Sequence, residues 1–86
     1  MPELSRFYGI IIRMFYDDHP PPHFHAVYES DQAQININTL EVIEGNIKRR
    51  ALALVLEWAA LHRDEIRAAW DLANQNQEPP KIDPLV

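Results

Sequence analysis

An α+β fold, a three-stranded antiparallel meander with one long or broken amphipathic helix packed on one face and an extended C-terminal arm, is predicted by three observations. Residues 7–43 alternate apolar and polar side chains in short runs broken by turn formers. Residues 47–74 switch to a helical period, and residues 75–86 are polar and punctuated by proline. At 86 residues the chain reads as one domain, a size at which a single hydrophobic core is adequate but not generous.

The first strand is expected from Phe7 to Tyr16, with Tyr8, Ile10, Ile12, Met14 and Tyr16 on one face and Gly9, Ile11, Arg13 and Phe15 on the other. Asp17 to Pro22 cannot continue it, because its three prolines lack an N–H and push each preceding residue toward turn or extended geometry. His23 to Tyr28 reads as the returning strand. After a polar turn at Glu29-Ser30-Asp31-Gln32, Ala33, Ile35 and Ile37 alternate with Gln34, Asn36 and Asn38 as the third strand, polar on its outward face. Leu40 to Ile43 reads as a short extended piece, stopped by Gly45-Asn46.

Asn46 is the expected N-cap of a helix from Ile47 to Asn74. Ala51, Leu54, Val55, Trp58, Ala59, Leu61, Ile66, Ala69 and Ala73 form its apolar arc, and Arg49, Arg50, Glu57, Asp64, Arg67 and Asp71 gather opposite. Asp64 and Asp71 stand at ion-pair spacing from Arg67. A straight helix of about 28 residues runs ~40 Å, more than a three-stranded sheet covers, so it either breaks near Leu61 to Asp64 or overhangs. Trp58 and Trp70 are expected to fill the core, with Trp70 exposed if the helix overhangs. Ile82, Leu85 and Val86 are the residues by which the tail would dock.

Several function classes fall away on composition. The chain has no cysteine, which excludes disulfides, thiolate metal sites and a Cys nucleophile. Its formal net charge of −5 argues against a surface that clamps a nucleic-acid backbone. The apolar run at Ile10-Ile11-Ile12 is far below the ~20 residues of a membrane span, and the N-terminus has no signal-peptide layout. A cytoplasmic protein without membrane contact is therefore expected.

Three of the four histidines fall within Asp17-Asp18-His19-Pro20-Pro21-Pro22-His23-Phe24-His25. Imidazole is the commonest protein metal ligand and titrates near neutrality unaided. His23 and His25, at i and i+2 on a strand, leave the same face and can converge on one ion. His19 could fold back across the prolines as the third ligand of a divalent metal such as zinc or nickel, with Asp17, Asp18 or Glu29 offering oxygen. His23, His25 and Glu29 also spell the His-X-His-X3-Glu core of cupin sites, but the chain is too short for a jelly roll and lacks its flanking glycines and later histidine. Two plainer readings compete. The histidines cap and brace the hairpin, or they form the contact surface for a partner. His62 lies on the apolar arc beside Trp58 and Ile66, so it is expected to be buried and bonded to His25, Tyr28 or a sheet carbonyl. Lys48, Arg49 and Arg50 crowd the helix N-terminus, where cations oppose the dipole, and so mark a candidate anion contact. His19 or His23 as general base with Arg13 on a phosphate would suit an RNase.

Ser5-Arg6-Phe7-Tyr8-Gly9-Ile10, Asp17-Asp18-His19, Pro21-Pro22-His23-Phe24-His25-Ala26, Arg50-Ala51-Leu52, Leu56-Glu57-Trp58-Ala59, Leu61-His62-Arg63, Trp70 and Ile82-Asp83-Pro84-Leu85 together resemble a widespread bacterial family catalogued as domain of unknown function 4160. The chain departs from that pattern at Asn46-Ile47-Lys48, where a leucine-proline helix entry is more usual. The resemblance implies a small cytoplasmic bacterial protein, often encoded beside another small uncharacterised domain in a toxin–antitoxin-like pairing. It brings no activity, cofactor or catalytic residue. The expected function is a protein-interaction or regulatory module working with a small protein of the same operon through Asp17, Asp18, His19, His23, His25 and His62. The alternative is a metal-binding protein or small nuclease using His19, His23 and His25.

Overall fold

The computed structural model describes residues 2–86. Five strands, β1 (Glu3–Phe7), β2 (Ile10–Arg13), β3 (His23–Tyr28), β4 (Asp31–Asn36) and β5 (Val42–Asn46), are followed by helices α1 (Arg49–Leu61) and α2 (Arg63–Ala73). The strands form one antiparallel meander in the order β1-β2-β3-β4-β5. The class is the α+β expected, but the sheet has five strands rather than three and the long helix is two helices.

Each discrepancy has a local cause. The strand predicted over Phe7 to Tyr16 contains a turn, since Tyr8 and Gly9 take φ of 50° and 80°. Positive φ at both central residues is the two-residue hairpin geometry whose twist matches the flanking strands, so the run folds back as β1 and β2. In the sequence Gly45 reads as a stop, yet β5 runs through it. A Cβ there would lie 2.3 Å from the Gln32 carbonyl oxygen, with φ at 75°, so glycine permits the close approach of β5 to β4. Asn46 therefore ends a strand instead of capping a helix. The N-cap is Lys48, which makes no side-chain cap bond of its own; its N–H donates to Asp31 Oδ2 at 3.0 Å.

The helix breaks at His62, whose φ of −122° and ψ of 25° leave the helical region. An unbroken helix of ~40 Å would exceed the longest dimension of the molecule, 33 Å. The break resets the helical phase. Leu61, predicted on the apolar arc, is 69% exposed, while Trp70, the weaker core candidate, is buried. Arg67 donates to Asn38 after β4, so the helical ion pairs predicted with Asp64 and Asp71 do not form.

Strand register defines two unlike faces. Phe7, Ile10, Ile12, Phe24, Ala26, Ala33 and Ile35 share one face and are buried. Trp58 of α1 covers them, with ring centroids 5.5 Å from Phe7 and 5.9 Å from Phe24. The other face carries Arg6, Arg13, His23, His25, Gln32, Gln34, Asn36 and Glu44. The C-terminal arm docks along the edge strand: Ile82 N–H donates to Leu4 O at 2.7 Å and Trp58 Nε1–H to Asp83 O at 2.8 Å. Ile82 is buried and Leu85 packs on the core, whereas Val86 is fully exposed. Among the described residues, no helix is long and apolar enough to cross a membrane.

Gly45→Ala should destabilise the fold by about 1–3 kcal/mol, the usual cost of a non-glycine residue held at disfavoured φ with a backbone clash. Urea unfolding followed by tryptophan fluorescence measures it, and an unchanged midpoint would contradict the close approach.

Candidate metal centre

The polar face of β3 holds the one group of three acid and imidazole side chains found among the described residues with ligand atoms gathered within 4.8 Å: Asp18, His23 and His25. Strand alternation puts His23 and His25 on the face away from Trp58, where each is nonetheless buried, at 4% and 3% exposure. Residues 14–22, which leave the sheet after β2, supply the cover. Phe15 stacks on the His25 ring with centroids 4.2 Å apart, and Asp18 reaches over both imidazoles. The loop is pinned at its start by Met14 N–H donating to Pro2 O at 3.1 Å, within it by Asp17 N–H donating to Ala73 O at 3.2 Å, and at its far end by Ile37 N–H donating to Pro22 O at 3.0 Å. Trp70 of α2 completes the enclosure 5.3 Å from His23.

Asp18 divides its carboxylate. Oδ1 accepts the His19 N–H at 2.8 Å, and Oδ2 lies 3.0 Å from His23 Nε2 and 3.3 Å from His25 Nε2. Burial opposes the charged form of Asp18. The His19 N–H, the His25 hydrogen bond and the two neighbouring imidazoles outweigh that, and its pKa falls below the ordinary carboxylate value. For His25, burial dominates the pull of Asp18 and lowers the pKa, which keeps the ring neutral at neutrality. The pair His23 and His25 stand with centroids 5.2 Å apart.

The tautomers differ. His23 Nδ1 is 2.7 Å from the Pro21 carbonyl, which only accepts, so the neutral ring carries its proton on Nδ1 and leaves Nε2 as a bare lone pair. That Nε2 is buried without a hydrogen-bond partner, a condition Ser5 Oγ alone shares among the described residues. It lies 3.0 Å from Asp18 Oδ2 but is not aligned for a hydrogen bond. The two atoms thus lie side by side at the buried end of the cluster. His25 is the reverse case. Gln32 Nε2 donates to its Nδ1 at 3.4 Å, and Nε2 faces Asp18.

The structure places the other sequence-predicted residues elsewhere. His19 is exposed and is not among the gathered ligand atoms, so Asp18 takes the position expected of it. Asp17 is exposed at φ 51°. His62 lies at the helix break against Trp58, 5.7 Å away, and its partner is Glu65 Oε1 at 2.7 Å, not His25, Tyr28 or a sheet carbonyl. Glu29, the third element of the cupin-like spacing, sits in the β3–β4 turn and holds Lys48 Nζ at 2.5 Å. Lys48 is thereby paired, with its pKa raised by that bond, while Arg49 and Arg50 are exposed. Arg50 borders a separate cleft of about 230 Å³ with Tyr8, Ile10, Tyr28, Ala51 and Leu54. With His23 and His25 covered, His19 is the one histidine of the predicted nuclease set on the surface. Gln32, Phe15 and Trp70 were not anticipated at the site. Gln32 had a legible signal, since on β4 it shares the period-two face of Gln34 and Asn36.

A family model described as Domain of unknown function (DUF4160) matches residues 9–71, which take in the whole histidine block and most of both helices. No curated protein and no solved structure matches the chain.

The shifts of His25 and Asp18 both predict acid lability in the presence of a chelator. Below the unfolded imidazole value of 6.5 the unfolded chain binds a proton that folded His25 resists, so stability is complete above that pH and is lost as pH falls below it. Asp18 adds a further loss below its unfolded value of 3.8. Unfolding free energies measured by urea between about pH 7.5 and 5 should decline, because stability rises with pH wherever the unfolded state holds more protons. A flat profile would remove this account of His25.

Proposed function

The chain belongs to the family described as Domain of unknown function (DUF4160), and because that description names no chemistry, we propose from the site itself that it is a divalent-metal-binding protein whose ligands are Asp18, His23 and His25. The observation that carries this reading is His23 Nε2, buried without a hydrogen-bond partner 3.0 Å from a carboxylate oxygen of Asp18, while its Nδ1 is held by the Pro21 carbonyl. Such an atom costs about 1–3 kcal/mol when left unsatisfied. A hydrogen bond from the far ring nitrogen to a carbonyl is the usual way a ligating imidazole is oriented.

The donor set supports zinc or nickel. Two imidazole nitrogens and a carboxylate oxygen suit borderline divalent ions. Ligand bonds of ~2.0 to 2.2 Å in a tetrahedron place neighbouring ligand atoms about 3.3 to 3.6 Å apart. The two N···O separations here, 3.0 and 3.3 Å, are close to that spacing. Three protein ligands are one fewer than closed structural zinc sites use, so a position is left for water or another group.

Untagged protein titrated with zinc, then nickel, should show the imidazole NMR signals of His23 and His25 shifting while those of His19 and His62 stay in place. His23→Gln should weaken binding by at least about tenfold, since even outer-sphere losses cost 10–100-fold. Unmoved His23 and His25 signals at a modest excess of both metals would end the metal reading.

A second reading is favoured by β5, which lies at the margin of the sheet with Val42 and Ile43 39% and 45% exposed. A sheet edge of this kind can add a strand from another chain. On this reading the protein is a cytoplasmic regulatory module of a bacterial gene pair, of toxin–antitoxin type. Coexpression with the neighbouring gene product should give a complex that Ile43→Lys weakens; a complex indifferent to that substitution would move the contact away from β5.

A further inference from the structure

We infer that Gln32 decides which ring nitrogen of His25 is free to face Asp18, and so acts as the positioning residue that opens or closes this centre to a cation. The inference deepens the metal reading and rests on it.

The two imidazoles are not equally prepared. His23 already presents Nε2, because the Pro21 carbonyl 2.7 Å from Nδ1 can only accept a proton. His25 is held the other way. The Gln32 amide nitrogen, 3.4 Å from Nδ1, has only protons to offer, so Nδ1 is the acceptor and the ring proton sits on Nε2, pointed at Asp18 Oδ2 3.3 Å away. A neutral imidazole has one proton to place between its two nitrogens. In this arrangement His25 donates to the carboxylate and cannot ligate through Nε2.

Ligation through Nε2 requires the proton on Nδ1, and Nδ1–H then needs an acceptor. The His25 side chain is 4% exposed, so water is a poor substitute. Gln32 is suited to the change. Its amide carries a carbonyl oxygen and an NH2 group of nearly the same size, and a half-turn about the last side-chain bond exchanges them. Oε1 would then accept from Nδ1–H at the place Nε2 now occupies. Gln32 is exposed and leaves room for that turn, while the β3–β4 register, with Gln32 opposite Val27 and Gln34 opposite His25, keeps it one diagonal step from the ring. The exchange gives the Nε2 proton to solvent and takes one from solvent on Nδ1, so the ring stays neutral and water is the only other reactant. Outer partners of a ligating histidine have this role in general, and their loss costs 10–100-fold in metal affinity.

The test reads tautomer and affinity separately. Two-bond proton–nitrogen correlation spectra of wild-type protein should show the His25 proton on Nε2 in chelator and on Nδ1 once zinc is bound. Gln32→Glu, which can only accept, should show Nδ1–H before any zinc is added. Gln32→Leu should bind zinc about tenfold or more less tightly, with Gln32→Asn tested as the amide that is one methylene short and Gln32→Glu restoring affinity. Zinc binding by Gln32→Leu as tight as wild type, in a preparation where His23→Gln abolishes it, would overturn the role of Gln32 and leave the metal reading standing. Wild-type signals for His23 and His25 that ignore zinc would overturn both. A His25 proton on Nδ1 in chelator would overturn the inference alone, whatever the affinity.

Discussion

Period-two alternation along β3 organises the whole molecule. Phe24 and Ala26 point to the face that α1 covers through Trp58, and His23 and His25 point to the face that residues 14–22 cover. As the middle strand of five, β3 is buried on both sides over its first four residues. A shift of one residue in its register would send the imidazoles into the hydrophobic core and Phe24 under the loop. Core formation and site formation are thus one event. The apolar face supplies the driving force, and the polar face inherits its geometry.

Exposed ion pairs such as Arg6 with Glu3 and Lys48 with Glu29 are screened by solvent and contribute little, and in a buried acid and imidazole cluster desolvation offsets much of the attraction. An apolar pair at His23 and His25 would spare the domain an unsatisfied nitrogen. Instead, a loop with three prolines is tied down by Pro2 and Ala73 and closed by Phe15 and Trp70 to keep two rings and one carboxylate together. Such an enclosure makes chemical sense around a group that needs fixed donors and little competing water. Trp70 links it to α2, so the helix break at His62 bears on the site as well as on the core.

The pairing of His23 with His25 was legible because it depends on spacing along one strand, and Asp18 was among the oxygen donors the spacing offered. His19 was not distinguishable from Asp18 in sequence. Both lie in a proline-rich loop whose path is decided by what anchors it, and the anchors are remote: Pro2 on one side and Ala73 on the other. The first hairpin was missed because tyrosine is not a turn former, although Gly9 beside it is. The fifth strand is legible only as a short extended piece over Leu40 to Ile43, because a glycine reads as a stop unless the backbone that approaches it is known, and here that backbone is Gln32. His62 was placed in the core by extending one helical phase across a break that erased it.

Sequence alone determined what depends on neighbours a few residues apart: the α+β class, the apolar faces of the two helical segments, the turn enforced by Pro20-Pro21-Pro22, and the common face of His23 and His25. Tertiary structure decided the rest. It chose which face of the sheet the helices cover, which loop side chain joins the imidazoles, and which residue, Gln32 or Pro21, sets each ring's proton. The division is physical. Periodicity is a property of one element and is written in its own residues, whereas a face acquires its partner from a distant part of the chain, and that choice is made by the burial of the whole.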